Sequence, residues 1–457
     1  KFYKMILLIA VPIMIQNGIT NFVSLLDNIM IGRIGTEQMS GAAIVNQLIF
    51  VYNLCIFGGV SGAGIFTAQY FGQKDQEGVR NTFRYKLWMA LILTVSTIVI
   101  FLVGGDRLIE LYLHGEGARE NAAATLLYGK QYLWIMLVGL PPFMMVQVYA
   151  STLRECGETV LPMKAGIVAV LINLIFNYLL IYGKFGFPEM GVRGAAIGTL
   201  CARAAETVMV LVYAIFRNKV VRIRLKDMVK IDKVLLKDFA VYSMPVVLNE
   251  LMWGLGTSAN TAVIGHLGSA AVAANSVAQV ARQLATVVTF GISHATAIYL
   301  GKTIGEGKME LAKAYGKRFV WLSLILGILG GVLILISAPI ANANLALTGP
   351  AKNYLSFMFF VMSYFTVAQA FNTTMVVGVF RAGGDTKFGL IMDVSTMWGF
   401  SILLGAVAAF ILHASVPVVY VILMSDELIK VPITLKRYLT YKWLRDVTRE
   451  QKELEEM

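Results

Sequence analysis

One aspartate interrupts a long apolar segment near the beginning of the sequence. In the stretch LLDNIMIG, Asp27 is the only charged residue between Met5 and Gly32. An ionised carboxylate inside a hydrocarbon layer is energetically costly, so such residues are rare there and usually have a function. The carboxylate must be balanced by a proton, by a cation or by a dense set of hydrogen-bond donors. Binding of a proton or a metal cation is therefore the chemistry that Asp27 predicts.

Polar residues accompany Asp27 at the spacing of a helix. Residues three and four positions apart share one helix face, and this polar face comprises Asn17, Thr20, Asn21, Ser24, Asp27 and Asn28. A lipid-facing helix would not carry such a stripe, so we expect the face to look into the protein. For Thr20 and Ser24 we expect hydrogen bonds between helices, whereas the charge of Asp27 favours a functional role.

A second group of ionisable and polar residues lies in the second half of the sequence. Its members are Asn249, Glu250, Asn260, Arg282, Asp393, Asp426, Glu427 and Lys430. They predict either a second cation- or substrate-binding site or internal ion pairs, such as Glu250 with Arg282. For Glu427 and Lys430, three positions apart on one helix, we expect an ion pair.

Composition indicates which elements position these residues. The 457-residue chain is 57% hydrophobic and 14% charged, with a mean hydropathy of +0.70, whereas soluble domains carry about 25% charged residues. A membrane span needs roughly 20 apolar residues. The sequence therefore predicts an all-α polytopic membrane protein with twelve transmembrane helices. They begin near Met5, Met39, Phe83, Ala122, Leu161, Val192, Phe239, Ala270, Phe319, Tyr354, Phe388 and Ser415.

Positive charge predicts the orientation of these spans. The net charge is +12, and most lysines and arginines fall at both termini and in alternate loops, which places these on the cytoplasmic side. We expect a multi-pass protein of the plasma (inner) membrane with both termini cytoplasmic and no nucleic-acid partner. The basic segment 217–237 is expected to be a cytoplasmic linker along anionic lipid. It separates lobes at 1–216 and 238–440, and a tail follows at 441–457.

The two halves of the chain repeat each other at a nearly constant offset. The clearest matches are Pro12 with Pro245, Gly35 with Gly268, Ala68-x-Tyr70-x-Gly72 with Ala297-x-Tyr299-x-Gly301, and Arg154-x-x-Gly157-x-Thr159 with Arg381-x-x-Gly384-x-Thr386. Six spans per half is an even number, so the lobes are expected to be parallel repeats related by an axis along the membrane normal. Two pseudo-symmetric six-helix bundles of this kind are typical of transporters.

These motifs resemble those of a known family. The stretch DNIMIGRIG at 27–35 is similar to the first-helix signature of the multidrug and toxic compound extrusion (MATE) family, of the multidrug/oligosaccharidyl-lipid/polysaccharide superfamily. AQYFGQ at 68–73 resembles its second-to-third helix loop, and RAGGDT at 381–386 resembles the turn after its tenth helix. The resemblance extends over essentially the whole chain. It implies efflux of organic compounds in exchange for protons or sodium ions.

The resemblance also implies a cation site in the N-terminal lobe. In the family this site uses a first-helix Asp, two fifth-helix polar residues and a sixth-helix Thr, and the matching positions here are Asp27, Asn173, Asn177 and Thr199. Many relatives carry Asp where this chain has Asn177, so the lobe has one carboxylate fewer. A lone carboxylate among amides suits the loading of a proton, and its oxygens equally suit sodium. Beyond this ion we expect no metal and no cofactor.

The side chains that contact substrate are expected to be flexible or aromatic, because such surfaces accommodate varied apolar compounds. Candidates are Met14 near Asn17, and Met252 with Trp253 beside Glu250. We expect small organic, cationic or amphipathic substrates, and a monomer in lipid.

Three functional classes follow from these patterns. The leading one is a cation-coupled antiporter that works by alternating access of its two lobes, which requires ligands with different affinities for the two states. The alternative is a lipid-linked oligosaccharide flippase of the same superfamily, with which the intramembrane cations Arg203, Arg282 and Lys430 are consistent. An enzyme is not expected, because the sequence contains no HExxH or GxSxG motif and its four histidines are scattered.

Overall fold

The computed structural model describes residues 2–113, 122–218, 232–344 and 349–448. Residues 219–231 of the predicted linker and 449–457 of the predicted tail lie outside these ranges. Within them the regular elements are helices. They are α1 (Phe2–Gly32), α2 (Thr36–Gln73), α3 (Gln76–Tyr112), α4 (Ala122–Glu155), α5 (Val160–Ile181), α6 (Val192–Phe216), α7 (Lys233–His266), α8 (Ser269–Gly305), α9 (Met309–Asn344), α10 (Gly349–Phe380), α11 (Thr386–Ile411), α12 (Val416–Leu423) and α13 (Asp426–Leu439).

Most of these helices are long and apolar enough to cross a membrane. Among the described residues, ten helices meet this condition, α1 to α6 and α8 to α11. Helix α7 has 34 residues, but Asn249, Glu250 and Asn260 interrupt its apolar character. The twelfth predicted span is divided into α12 and α13, and the break directly precedes the acidic residues Asp426 and Glu427. The prediction of an all-α polytopic membrane protein is confirmed.

Contacts within the described residues divide the chain into two compact units. We call them the N-unit, with Ile15–Gly64 and Gln76–Phe239, and the C-unit, with Lys1–Met14, Ile65–Asp75 and Ala240–Met457. The beginning of α1 and the end of α2 thus belong to the C-unit, although both precede the predicted lobe boundary at 216. The lobes inferred from the repeat stay a prediction, because the repeat relates sequences whereas the units are defined by contacts.

The repeated motif RxxGxT forms the same turn in both halves. Gly157 follows α4 with φ +86°, and Gly384 follows α10 with φ +75°. Glycine adopts this left-handed conformation without the steric cost of a Cβ. In each turn the glycine N–H donates to the carbonyl of the motif's arginine, over 2.9 Å to Arg154 and 3.1 Å to Arg381. The turn thereby fixes the direction in which each arginine leaves its helix.

Helices α10 and α11 contain wide turns of π-helical geometry. One such segment, Thr374–Phe380, ends α10 directly before Arg381, and α11 contains two more at Met397–Ile402 and Val407–Ile411. Wide turns of this kind occur frequently at functional sites, because the change of pitch turns the side chains that follow. The C-unit therefore departs locally from regular helix on the two helices that deliver Arg381 and Asp393.

Candidate cation-binding sites

Asp27 on α1 is the centre of the N-unit site. Nδ2 of Asn177 donates a hydrogen bond to Oδ1 of Asp27 over 2.7 Å. Asn173 lies one turn earlier on α5. When its amide nitrogen faces the carboxylate of Asp27, that nitrogen donates to Oδ1 at 3.0 Å and to Oδ2 at 3.3 Å, and both the nitrogen and the oxygen of the amide have hydrogen-bond partners. Its oxygen then accepts a hydrogen bond from Oγ1 of Thr199 over 3.3 Å. The structure thus brings together the four residues that the resemblance implied.

Close packing of α6 against α5 holds these amides in place. A Cβ added to Gly194 would lie 2.6 Å from the carbonyl carbon and oxygen of Leu180, and one added to Gly198 would lie 2.2 Å from Oδ1 of Asn177. Glycines therefore allow the backbone of α6 to approach α5 at the level of the site. The position of the Asn177 side chain depends on the missing Cβ of Gly198.

One oxygen of the site has no hydrogen-bond partner. Oδ1 of Asn177 is buried and unpartnered in the described structure, and the residue is 1% exposed. Buried polar atoms are nearly always satisfied, so an exception needs a physical account. A carboxylate oxygen and an amide oxygen are ligands that hard cations prefer. The unpartnered oxygen therefore fits a site that takes up a cation.

The charge of Asp27 is met by amide donors rather than by a basic side chain. The ion pairs described for the N-unit involve other carboxylates, namely those of Glu77, Asp106, Glu155 and Glu206. Among them Lys86 and Glu155 form a buried pair to which Ser151 and Thr152 also contribute. A carboxylate with neutral partners is free to take up a proton or a cation without breaking an ion pair.

The arginine of the repeated turn contacts the first helix of its own half in both units. Nη1 of Arg154 donates to Oε1 of Gln16 over 3.3 Å, and Nη2 of Arg381 donates to Oε1 of Glu250 over 2.9 Å. The repeat aligns Gln16 with Asn249, so the two partners lie one position apart in the repeat. The N-unit arginine thus has an amide partner where the C-unit arginine has a carboxylate.

Of the two alternatives left open for Glu250, the structure shows an ion pair, but its partner is not Arg282. Glu250 pairs with Arg381 instead, because the turn after α10 directs that guanidinium toward α7. Arg282 donates to the amide oxygens of Gln279 over 2.8 Å and Gln369 over 3.2 Å. Sequence spacing could not reveal Arg381 as the partner, although its recurrence as Arg154 in the repeated motif was a signal.

Four ionisable residues of the C-unit form a buried group that we call the lysine cluster: Asp393, Asp426, Glu427 and Lys430. Nζ of Lys430 lies 3.0 Å from Asp393, 3.2 Å from Asp426 and 3.1 Å from Glu427. The predicted pair of Glu427 with Lys430 is confirmed, and two further carboxylates share the same ammonium.

Amide and hydroxyl groups surround the lysine cluster. Nδ2 of Asn249 donates to Oδ2 of Asp393 over 2.9 Å, and Nδ2 of Asn372 donates to Oε2 of Glu427 over 2.8 Å. Thr434 donates in turn to Oδ1 of Asn372 over 2.8 Å. Sequence reasoning missed Asn372 and Thr434, because neutral polar residues are common inside membrane proteins and carry no charge signal.

The remaining candidates do not join these clusters. Asn260 follows Glu250 by ten positions, about 15 Å along a helix, and its buried Oδ1 is unpartnered among the described residues. Met14 packs against Gly291 in the C-unit, whereas Asn17 belongs to the N-unit. The carbonyl of Met252 accepts from Nε1 of Trp398 over 3.0 Å. Trp253 is half-buried, and no described contact joins it to the other substrate candidates.

Long apolar helices, a repeated turn and buried carboxylates among amides together define a polytopic helical membrane transporter. The chain belongs to the MatE family, whose model matches residues 12–179 and 245–430. The resemblance to the MATE family is thereby confirmed.

Relatives and a solved structure agree with this assignment. The chain is 25% identical over 444 residues to the probable multidrug resistance protein NorM of Thermotoga maritima, covering 96% of this chain and 93% of the relative. It is 23% identical over 397 residues to the probable multidrug resistance protein YoeA of Bacillus subtilis, covering 86% and 84%. The solved structure of a MOP superfamily transporter from Pyrococcus furiosus has the same fold, with a TM-score of 0.84 and 19% sequence identity. The match covers 96% of this chain and 95% of that transporter's chain.

Proposed function

We propose that the protein is a multidrug efflux transporter that exchanges a proton or a sodium ion for small organic, cationic or amphipathic compounds. Family membership supports the transport of such compounds, since the relatives are described as probable multidrug resistance proteins. The observation that carries cation coupling is the N-unit site. There, the Asp27 carboxylate has amide partners in place of a basic one, beside an unpartnered oxygen of Asn177.

In the proposed cycle the coupling ion binds at Asp27 and neutralises its charge. Asn173 and Asn177 orient the carboxylate, and Thr199 orients Asn173. A sodium ion would take oxygens of Asp27 and Asn177 as ligands, whereas a proton would bind to a carboxylate oxygen. Ion and drug drive reorientation of the two lobes only if each has different affinities for the inward- and outward-open states. Met14, Asn17, Met252 and Trp253 are the proposed substrate contacts.

The same proposal covers location and assembly. The distribution of lysine and arginine supports an inner-membrane protein with both termini cytoplasmic, and the protein is proposed to work as a monomer without a cofactor or a nucleic-acid partner. The flippase alternative is not retained. Two of the three cations that were consistent with it are paired with carboxylates, Arg203 with Glu206 and Lys430 within the lysine cluster.

The test is transport in proteoliposomes with separately imposed proton and sodium gradients. We expect one of the two ion gradients to drive transport of a fluorescent organic cation in the direction opposite to the flow of the ion. The other ion gradient should have no effect on this transport. Asp27→Asn should abolish gradient-driven movement, because the amide cannot be protonated or neutralised by the ion. Asp106→Asn is the matched control, since Asp106 pairs with Lys130 at an exposed position. Full transport by Asp27→Asn would refute the proposed role.

A further inference from the structure

Lys430 has the surroundings of a bound cation. Its ammonium carries three N–H donors and no acceptor; it donates a hydrogen bond to Glu427, and three carboxylate oxygens lie within ion-pair distance of Nζ. These oxygens belong to Asp393, Asp426 and Glu427, at 3.0, 3.2 and 3.1 Å from Nζ. The lysine side chain is 3% exposed, so water contributes little to this shell.

A residue that adjoins the lysine cluster has an amide oxygen without a partner in the part of the chain that the structure describes. Asn249 is 7% exposed and donates its Nδ2 to Asp393, which places its amide group at the lysine cluster. Its Oδ1 is buried and has no hydrogen-bond partner in the described structure. Carboxylate and amide oxygens are both ligands that hard cations prefer, and the amide of Asn249 adjoins the lysine cluster through its hydrogen bond to Asp393.

The charges around the lysine cluster favour occupation by a positive ion. Three carboxylates surround one ammonium, and Arg282 on α8 interacts electrostatically with Asp426 and Glu427. On α7 and at the end of α10, Glu250 and Arg381 neutralise each other. Asn372 on α10 contributes no charge. Removal of the ammonium would therefore leave an uncompensated negative site.

We propose that Lys430 is a tethered internal cation that fills a monovalent-cation site of the C-unit. The covalent link gives the ammonium a high effective concentration at the cluster, so free ions do not displace it. The lysine cluster then holds no exchangeable cation. Combined with the proposed function, on which this last step rests, it follows that the transport cycle is coupled through Asp27 and not through the lysine cluster.

The test measures sodium binding rather than transport, so that it stands apart from the proposed antiport. The thermal midpoint of purified protein is followed in sodium chloride and in choline chloride at mildly alkaline pH. All variants carry Asp27→Asn, which removes the N-unit site. Lys430→Met is compared with Lys430→Gln, and Lys436→Met, an exposed lysine on the same helix, is the control.

We expect no sodium-specific effect in Asp27→Asn alone or with Lys436→Met. With Lys430→Met or Lys430→Gln we expect a saturable, sodium-specific rise of about 5 °C, and adding Asp393→Asn should reduce it. Sodium-specific stabilisation while Lys430 is present would overturn the proposal. So would its absence in both Lys430 variants. Because sodium should replace the ammonium, loss of both variants during purification in high sodium chloride would also contradict it.

Discussion

Asn177 donates a hydrogen bond to Asp27 over 2.7 Å although 150 positions separate the two residues in the sequence. The contact joins the first and fifth helices of the chain and leaves the other end of the amide unpartnered. It makes Asn177 both an orienting group for the carboxylate and a ligand available to an ion. Four predictions follow from this contact and from comparable ones elsewhere.

Asn177→Ala should change the response to the coupling ion, in opposite directions for a proton and for sodium. A hydrogen bond to a charged group contributes about 1.5–3 kcal/mol. For a proton, its loss favours the protonated carboxylate, so the proton concentration for half-maximal transport should fall roughly 10- to 100-fold. For sodium, loss of the Asn177 oxygen removes a ligand, so the sodium concentration for half-maximal transport should rise. The measurement is initial-rate efflux in proteoliposomes as the coupling ion is varied. Asn342→Ala is the control, because Nδ2 of Asn342 donates a hydrogen bond to the Ser356 hydroxyl at an exposed position. An unchanged ion dependence in Asn177→Ala would exclude an orienting role.

Gly198→Ala should disturb the site without removing any of its groups. The new Cβ would lie 2.2 Å from Oδ1 of Asn177, so the amide must move, at a cost of about 1–3 kcal/mol. We expect a lower thermal midpoint together with a changed ion requirement for transport, in the same direction as in Asn177→Ala. Gly104→Ala is the matched control, since no heavy atom lies within 4 Å of its added Cβ and alanine favours a helix. Equal behaviour of the two variants would contradict the described packing.

Glu250 and Arg381 should show strong coupling in a double-mutant cycle. Their side chains are 14% and 3% exposed, and removing one partner of a buried pair costs about 3–5 kcal/mol because the other charge stays buried. We expect Glu250→Gln or Arg381→Gln to lower the free energy of unfolding by this amount, and the double variant to lose less than their sum. The exposed pair of Lys308 with Glu306 serves as comparison and should contribute about 1 kcal/mol or less. Additive losses at Glu250 and Arg381 would show that they do not interact.

Gln69→Ala should loosen the segment after α13. In the C-unit, Nε2 of Gln69 donates to the carbonyls of Ala382 at 2.9 Å and Arg445 at 3.1 Å, and its Oε1 accepts from N of Val447 at 2.8 Å. The variant loses all three bonds and leaves the carbonyl of Ala382, a buried residue, unsatisfied, which costs about 1–3 kcal/mol. We expect faster proteolysis after Trp443.

The readout for Gln69→Ala is limited proteolysis followed by mass spectrometry of the released C-terminal peptide. Gln283→Ala, which truncates an exposed glutamine of α8, is the control and should be cleaved at the rate of the parent protein. If Gln69→Ala were cleaved no faster, the three bonds would not hold the segment in place.

Local patterns in the sequence were sufficient for the helices and the repeated turns. Runs of apolar residues predicted the spans because each must cover the thickness of a bilayer. The motif Arg154-x-x-Gly157 recurs as Arg381-x-x-Gly384, and both glycines have positive φ. These features depend on neighbours in the chain, so the residues themselves specify them.

Partners between distant helices were harder to predict. The N-unit site was found because the family resemblance supplied Asn173, Asn177 and Thr199 as partners of Asp27, which their spacing alone does not pair. For the C-unit the sequence left a binding site and internal ion pairs open, and Arg282, the partner that it offered for Glu250, is not the one in the structure. A charge inside a membrane protein needs compensation, but many helices can supply it.

By itself the sequence determined that this is a helical membrane protein with two repeated halves. It also determined that Asp27 lies in an apolar segment, where an ionised carboxylate is energetically costly. Only the tertiary structure decided which contacts these side chains make. Asp27 accepts a hydrogen bond from an amide, Glu250 pairs with an arginine, and Asp393 pairs with a lysine. The physical reason is the separation along the chain over which each interaction acts. Helix formation and membrane insertion depend on residues a few positions apart, whereas the balance of a buried charge depends on which side chains the packing of separate helices brings within about 3 Å.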